Sequence, residues 1–571
     1  MIQTGQSKIE IKAYHQGVGM LGYGRDFNKM YGQITPIYSR AVSFYDTDTQ
    51  RYFFFVNCEL CFITQGVKRE VIRRLLERNP DGGYCEENIM ITAQHTHSSP
   101  GGYAHHPFYN FPVPGFRPKI FDAVCNAIQE AIYQSSKQLS DSKLYFHSGE
   151  FEPDIDVAFN RSIRAYNCNE GVTKRTKEET HLAVERKMDL LRIDDIHDTP
   201  KMQINWFGVH TTSLGNRINK ICGDNKGFAS EFFENEAGQG FQAIFAQQLA
   251  GDISPNFHGR GKKDWYRKGP HKDDIENAKF NGRLQYYKAR EIWEQALSTT
   301  ALQGNIDHIL AFYDLSKVKV SPEFAQGCED AETDDACHGT AFFHGTPVDG
   351  PGMPQGVKQF AEFLSISIKH IELLLTHFKG EPYKSMIRKK YKVQGKKNII
   401  FEPGKGIIYG TRNIKNFFIP GFLDGGIAEM KKQHRNGALR ELPWTPHIVP
   451  LQIVSIGRLA IASFPGEITT IAGQRLRHML LNELQPKGIK HVIISTYANN
   501  YNGYCVTTEE YQAQCYEGGH TVYGQWTHGA YMTRYRELAR EFCKEPSQRQ
   551  IDRSIQPHTF SEKEMALRSY D

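Results

Sequence analysis

The chain predicts a mixed α/β fold in which mixed β-sheets pack together, flanked by helices, in a single large domain. Three observations carry this expectation. Segments of strand character alternate with helical periodicity from end to end. Of the 571 residues, 39% are hydrophobic and 23% charged, a balance that buries a large core and is unlike a disordered or fibrous chain. No low-complexity stretch or solenoid-period repeat divides the chain into modules.

Taken in order, residues 52–56 form a short aromatic run ending in Val56 and read as a strand. Apolar positions at three- and four-residue steps make 66–78 a helix. The β-branched segment 88–92 is again a strand, and 119–136 a second helix. Residues 203–207 give a strand, then 228–248, 274–299 and 356–378 show helical periodicity. Strands 452–455 and 459–464, helix 468–484, strand 491–496 and helix 522–542 complete the series. The charged loop 259–274 and the acidic stretch 328–337 read as surface insertions rather than linkers. Residues 1–545 therefore form one domain, and 546–571 a polar C-terminal tail too short to fold alone.

Composition excludes several classes of function. The formal charge is 69 − 64 = +5 without a Lys/Arg block, which argues against nucleic acid as a partner, because tracking phosphates needs clustered cations. No transmembrane segment is expected: the longest apolar candidate, 449–464, is interrupted by Pro450, Gln452, Ser455 and Arg458. Residues 1–12 carry Gln3, Gln6, Lys8, Glu10 and Lys12 where a signal peptide would have its apolar core. Eleven scattered cysteines, an odd number, fit neither a complete disulfide framework nor a zinc ribbon. Cys58 and Cys61 form one CxxC in an apolar run and read as buried thiols.

Chemistry concentrates in a few strings. Gln94-His95-Thr96-His97-Ser98-Ser99-Pro100-Gly101-Gly102 follows the 88–92 strand, and on an extended backbone His95 and His97 would share one side. A second strand-to-loop string, Asn205-Trp206-Phe207-Gly208-Val209-His210, also ends in histidine. Pro465-Gly466-Glu467 sets a carboxylate where a strand gives way to a helix, a position that a helix dipole alone would favour. Gly251-Asp252-Ile253-Ser254-Pro255-Asn256 presents a serine in a turn after the 228–248 helix. No G-x-S-x-G surrounds Ser254, so an α/β-hydrolase triad is not expected.

These strings, with Gly223-Asp224-Asn225-Lys226-Gly227 and the segment 504–516, occur in the order found in neutral ceramidases, which the chain resembles from about Gly17 to Phe542. The resemblance implies a catalytic domain binding one Zn2+ through His95, His210, Glu467 and Tyr504, with His97, Arg161, Ser254 and Tyr516 as catalytic residues. It further implies hydrolysis of the amide bond of ceramide to sphingosine and free fatty acid by metal-activated water. His97 would handle the proton. Arg161 and Tyr516 would donate to the oxyanion, and Ser254 would act either as a nucleophile or as a contact to the primary alcohol of the head group. Imidazole and carboxylate are ordinary zinc donors, and a phenol joins them once the cation polarises its proton. The alternatives are a zinc amidase acting on another N-acyl amine lipid and a catalytically silent lipid-binding relative.

A two-chain lipid substrate implies peripheral contact with a membrane or micelle. The aromatic, Pro-rich loop 103–116 is the expected lipid-facing element, or else a cluster stapling the loop to the body. The chain departs from the family's pattern in three respects. Ser99 stands where Ser-Gly-Pro is usual, and would be strained at a positive φ. The family's C-terminal immunoglobulin-like domain looks absent. The family is mostly secreted or displayed at the cell surface, yet no leader is visible here, so localisation is open.

Overall fold

The computed structural model describes residues 1–256, 269–350, 352, 354–412, 414 and 425–570. Two sheets form the centre. The first has eight strands: β1 (Ile2–Glu10), β2 (Tyr38–Asp46), β3 (Arg51–Cys58), β4 (Ile89–Ala93), β5 (Ser140–Glu150), β6 (Lys187–Asp195), β7 (Pro200–Phe207) and β8 (Gln242–Gln247). Their order is β8-β7-β6-β5-β1-β2-β3-β4, antiparallel except for the parallel outer pairs β7–β8 and β3–β4. The second sheet is β9 (Ile306–Asp314), β10 (Ile448–Ile456), β11 (Leu459–Ser463) and β12 (His491–Ser495), in that order.

The aromatic run in β3 shows why the sheets stack. Phe53 and Phe55 point into a core shared with Trp206 and Ile204 of β7 and with Val454, Ile461 and Ile493 of the second sheet. Phe54 and Val56, one residue out of phase, pack under helices α1 (Gln65–Arg78) and α2 (Pro118–Ser136) through Val67, Val71, Val124 and Ile128. A strand buried on both faces reads as a continuous apolar run. Helices α3 (Asp224–Ala237) and α4 (Asp274–Gln295) cover the other end of the first sheet. Leu476, Leu480 and Leu538 of α7 (Thr470–Glu483) and α8 (Thr527–Cys543) cover the second. Helix, sheet, sheet, helix is the layering the sequence led us to expect, with the intervening α5 (Gln355–Lys379) and α6 (Tyr383–Gln394) set to one side.

One expected helix divides. Residues 228–248 do not continue as a single helix: α3 ends at Ala237, Gly238 and Gly240 adopt φ of 92° and 91°, and 242–247 pairs parallel with β7. Positive φ is the conformation glycine takes without a Cβ clash. Beyond it, a short apolar run fits a buried strand as well as a helix. The Ser254 turn therefore follows a strand. The aromatic loop also turns inward: Tyr103, Tyr109, Phe111, Val113 and Phe116 are buried, and Tyr109 Oη donates to the Tyr501 carbonyl at 2.8 Å. It staples the loop to the body instead of facing lipid. Ser99 lies in a two-residue strand without positive φ; the left-handed residue is His95, φ 73°. Most of the 259–274 loop lies outside the described residues.

The terminal segment is held on the body. Arg568, 1% exposed, donates to the carbonyls of Ala438 (2.7 Å) and His105 (3.0 Å). Arg549 reaches Asp307 at the start of β9, where Lys487 (2.7 Å) and Arg51 converge. Burial raises the Asp307 carboxyl, but these cations outweigh it and hold it at about 2. A carboxyl depressed in the fold stabilises it above the ordinary range near 4, and that stabilisation is lost as pH falls through about 2. Asp307→Asn should therefore lower stability by about 2 kcal/mol at pH 7. Thermal melts of both proteins from pH 7 to pH 2 should converge at the acid end; parallel curves would refute the linkage.

Candidate active site

The site is assembled from strand ends and very short strand pairs. His95 sits two residues beyond β4 with its N–H on the Leu60 carbonyl at 2.9 Å. Its left-handed backbone, rather than simple strand alternation, brings its ring to His97, with the two Nε2 atoms 3.0 Å apart. His210 follows β7 across Gly208, where a Cβ would lie 2.3 Å from the Leu249 carbonyl oxygen, so only glycine fits. Glu467–Ile468 pairs parallel with Tyr504–Cys505, and the register sets Glu467 opposite Tyr504. Ile253–Ser254 pairs antiparallel with Phe159–Asn160, which brings Arg161 beside the serine turn.

Three acceptor groups converge. Glu467 Oε2 is 3.0 Å from His210 Nε2, and Oε1 is 3.5 Å from His95 Nε2. Tyr504 Oη is 3.4 Å from His210 Nε2. All four residues are buried. The far ring nitrogens face carbonyl oxygens: His95 Nδ1 that of Cys61 at 2.7 Å, His210 Nδ1 that of Ile253 at 2.9 Å. Because a carbonyl only accepts, each Nδ1 carries a proton, which leaves each Nε2, facing the carboxylate, as the atom through which the ring would hold a cation. Burial lowers His95 to about 4, against the opposing pull of Glu467, so its ring is neutral near pH 7. Burial raises Glu467, but His95, His210 and Tyr501 outweigh it and keep the carboxylate ionised. Two imidazole nitrogens and a carboxylate gathered this closely form a donor set of the kind that holds a divalent cation.

All the residues expected from the sequence meet here. Arg161, its side chain nearly buried, donates from Nη2 to Tyr504 Oη at 3.0 Å and to the Gly251 carbonyl at 2.9 Å, from Nη1 to Asp349 at 2.8 Å, and from Nε to Glu517 at 2.9 Å. Four of its five N–H groups are thus engaged by protein. Tyr516 joins through its ring, 5.4 Å from the centroid of Tyr504 and 5.4 Å from the Arg161 guanidinium carbon. Ser254 Oγ donates to Asp349 at 2.6 Å. Buried His97 is held well below its ordinary pKa, first by burial and then by His95 and His210, and its Nδ1 makes no hydrogen bond.

Sequence reading missed four members. Asp349 accepts from Arg161, Ser254, Thr212, Asn256 and Thr346; burial raises it, and Arg161 holds it far below the carboxylate range. In sequence it is one Asp in a Gly/Pro loop, with nothing nearby to mark it. Glu517, next to Tyr516, accepts from Arg161 and from Ser162 Oγ at 2.5 Å. Tyr497 and Tyr501 donate to the two oxygens of Glu467 at 3.0 and 2.5 Å. Their four-residue spacing just before Tyr504 was the available signal. The CxxC cysteines are buried as expected, and burial pushes the Cys58 thiol up to about 12, which makes it inert.

A layered α/β body with two imidazoles, a carboxylate and a phenol gathered in its interior beside a buried guanidinium defines an enzyme with a centre built for polar bond cleavage. It belongs to the neutral/alkaline non-lysosomal ceramidase family, whose N-terminal region matches residues 3–412 and 434–533. The neutral ceramidase of Pseudomonas aeruginosa is 32% identical over 538 residues, covering 94% of this chain and 71% of that protein. Neutral ceramidase B of Dictyostelium discoideum is 30% identical over 566 residues, 94% of this chain and 72% of its own length. The crystal structure of neutral ceramidase from Pseudomonas aeruginosa superposes with a TM-score of 0.75 at 30% identity, across 95% of this chain and 74% of that one.

Proposed function

We propose that the protein hydrolyses the amide bond of ceramide, releasing sphingosine and a fatty acid, with one zinc ion held by His95, His210, Glu467 and Tyr504. The observation that carries this reading is the convergence of the His95 and His210 Nε2 atoms on the Glu467 carboxylate beside Tyr504, a donor set that fits Zn2+. Zinc in such a set supplies Lewis acidity of the kind that lowers a water's pKa from about 15.7 towards 7.

The protein's own groups do the rest. His97 is neutral and unengaged at Nδ1, so it can accept a proton and return it to the departing amine. Tyr501 and Tyr497 fix Glu467 from behind, as outer hydrogen bonds fix ligand orientation. The Arg161 contact stabilises negative charge on the Tyr504 oxygen. The remaining Arg161 N–H and the Tyr516 hydroxyl supply an oxyanion. Ser254 is paired with a carboxylate that Arg161 keeps weakly basic; this favours a hydrogen-bonding role toward a head-group alcohol over that of nucleophile.

Replacing His97 by Ala should reduce kcat on detergent-dispersed ceramide by about 100-fold or more, within the range for removal of a general acid–base group, with zinc content unchanged by elemental analysis. Wild-type turnover in that variant would defeat the assigned role.

A further inference from the structure

Helix α5 is built inside out. Ala361, Ser365 and Thr376 are its buried residues, while Phe363, Leu374 and Phe378 are 65%, 60% and 77% exposed, with Val357, Ile366 and Ile371 on the same outer side. Met386 of α6 is likewise exposed. The inner side is fastened by polar contacts: Ser365 Oγ donates to the Ile399 carbonyl at 2.7 Å, and Glu372 receives Tyr391 Oη and Lys390 Nζ, each at 2.6 Å. An apolar stripe of this size on the outside of a globular protein marks an interaction surface.

Charge indicates the partner. From 355 to 394 there are eight Lys/Arg and three Glu, 8 − 3 = +5, which equals the formal charge of the entire chain. Among the described residues, Lys358 and Lys379, near the two ends of α5, and Lys384 and Arg388 of α6 have no carboxylate within ion-pair distance, so the segment keeps a net positive charge. An exposed apolar helix face on a basic segment suits an anionic lipid interface. At 25 residues, α5 is about 38 Å long, and no helix among the described residues is long and apolar enough to cross a membrane. The chain runs from the site into this helix. Asp349, bonded to Ser254 and Arg161, lies six residues before Gln355, and Phe342, in the short helix before it, stands 5.3 Å from the Tyr516 ring.

We propose that the outer face of α5 docks the protein flat on an anionic phospholipid bilayer, with Phe363, Leu374 and Phe378 inserted among the acyl chains and the net positive charge of the segment drawing it to the headgroups. The link from docking to substrate supply rests on the ceramide reading; the docking itself does not.

The test is flotation with vesicles of phosphatidylcholine, with and without phosphatidylserine, comparing wild type with the triple variant Phe363→Ser, Leu374→Ser, Phe378→Ser. All three positions are exposed, so melting should be unchanged. Wild type should bind serine-containing vesicles, less so in high salt, and the triple variant at least about tenfold more weakly. Turnover of ceramide embedded in those vesicles should fall in parallel, while turnover of detergent-dispersed ceramide stays the same. Equal vesicle binding by both proteins, or none by wild type, overturns the proposal. Sedimentation showing a wild-type dimer that the variant loses, without vesicle binding, overturns it in favour of a second copy of the chain. Helix-dependent binding by a protein that hydrolyses no ceramide would uphold the docking surface and remove the proposed function.

Discussion

Glu467→Gln is expected to strip the protein of zinc and to lower ceramide turnover by about a thousandfold or more, the consequence of losing several kcal/mol of Lewis-acid stabilisation. The substitution keeps the side chain's shape and leaves an oxygen for Tyr497 or Tyr501. What changes is the reason for binding a cation. In the native centre His210 Nε2 faces a carboxylate oxygen at 3.0 Å, and that oxygen's negative charge is what draws a cation. A glutamine amide turned toward His210 donates to its Nε2 and satisfies the pair without a metal. The metal-free variant should therefore be at least as stable as the metal-free wild type. A chelator should lower the wild-type melting temperature, because a ligand that binds only the folded state stabilises it, and should leave that of the variant unmoved. A variant that retains stoichiometric zinc and normal turnover would remove Glu467 from the centre.

The contrast between what was legible in the sequence and what was not has a physical basis. His95, His97, His210 and Glu467 stand in strings where a strand gives way to a loop or a helix, so local pattern brought them forward and their company strengthened the reading. Tyr504, Arg161 and Tyr516 emerged only by matching a family's order of motifs. Their meeting depends on register: Glu467 opposite Tyr504, Ser254 opposite Phe159. Asp349 was invisible because each of its partners is distant in sequence except Thr346, and a buried ion pair leaves no periodic trace. The layering was legible because β3 and its neighbours are apolar on both faces. The boundary at Gly238 was not read, although two glycines marked it, because apolar residues continue on both sides. The same limit applied to 103–116, whose aromatic content could not tell inward from outward; in α5 the surroundings decide, and they put the small residues inside.

Arg161 provides the second large effect, and two substitutions separate its roles. Lysine keeps the charge between Asp349 and Glu517 but cannot also reach Tyr504 and the Gly251 carbonyl, because an ammonium lacks the planar fork. Arg161→Lys should hold most of its stability and lose about 100- to 1000-fold in kcat, the loss typical of an oxyanion donor. Arg161→Met leaves two buried carboxylates without their cation, and breaking such a pair costs about 3–5 kcal/mol. That deficit has a predictable pH dependence. With Arg161 present, Asp349 is held far below the carboxylate range despite burial. Without it, burial prevails and the carboxyl rises above its unfolded value, so the folded variant takes up protons more readily than the unfolded chain. The stability gap between wild type and Arg161→Met should therefore narrow as pH falls from 8 to 5 and widen as it rises. Chemical denaturation at three pH values, set against kcat for the lysine variant, distinguishes the two. An Arg161→Lys protein with wild-type kcat would confine Arg161 to holding the fold, and a pH-independent gap for Arg161→Met would mean that Asp349 does not depend on Arg161 for its charge.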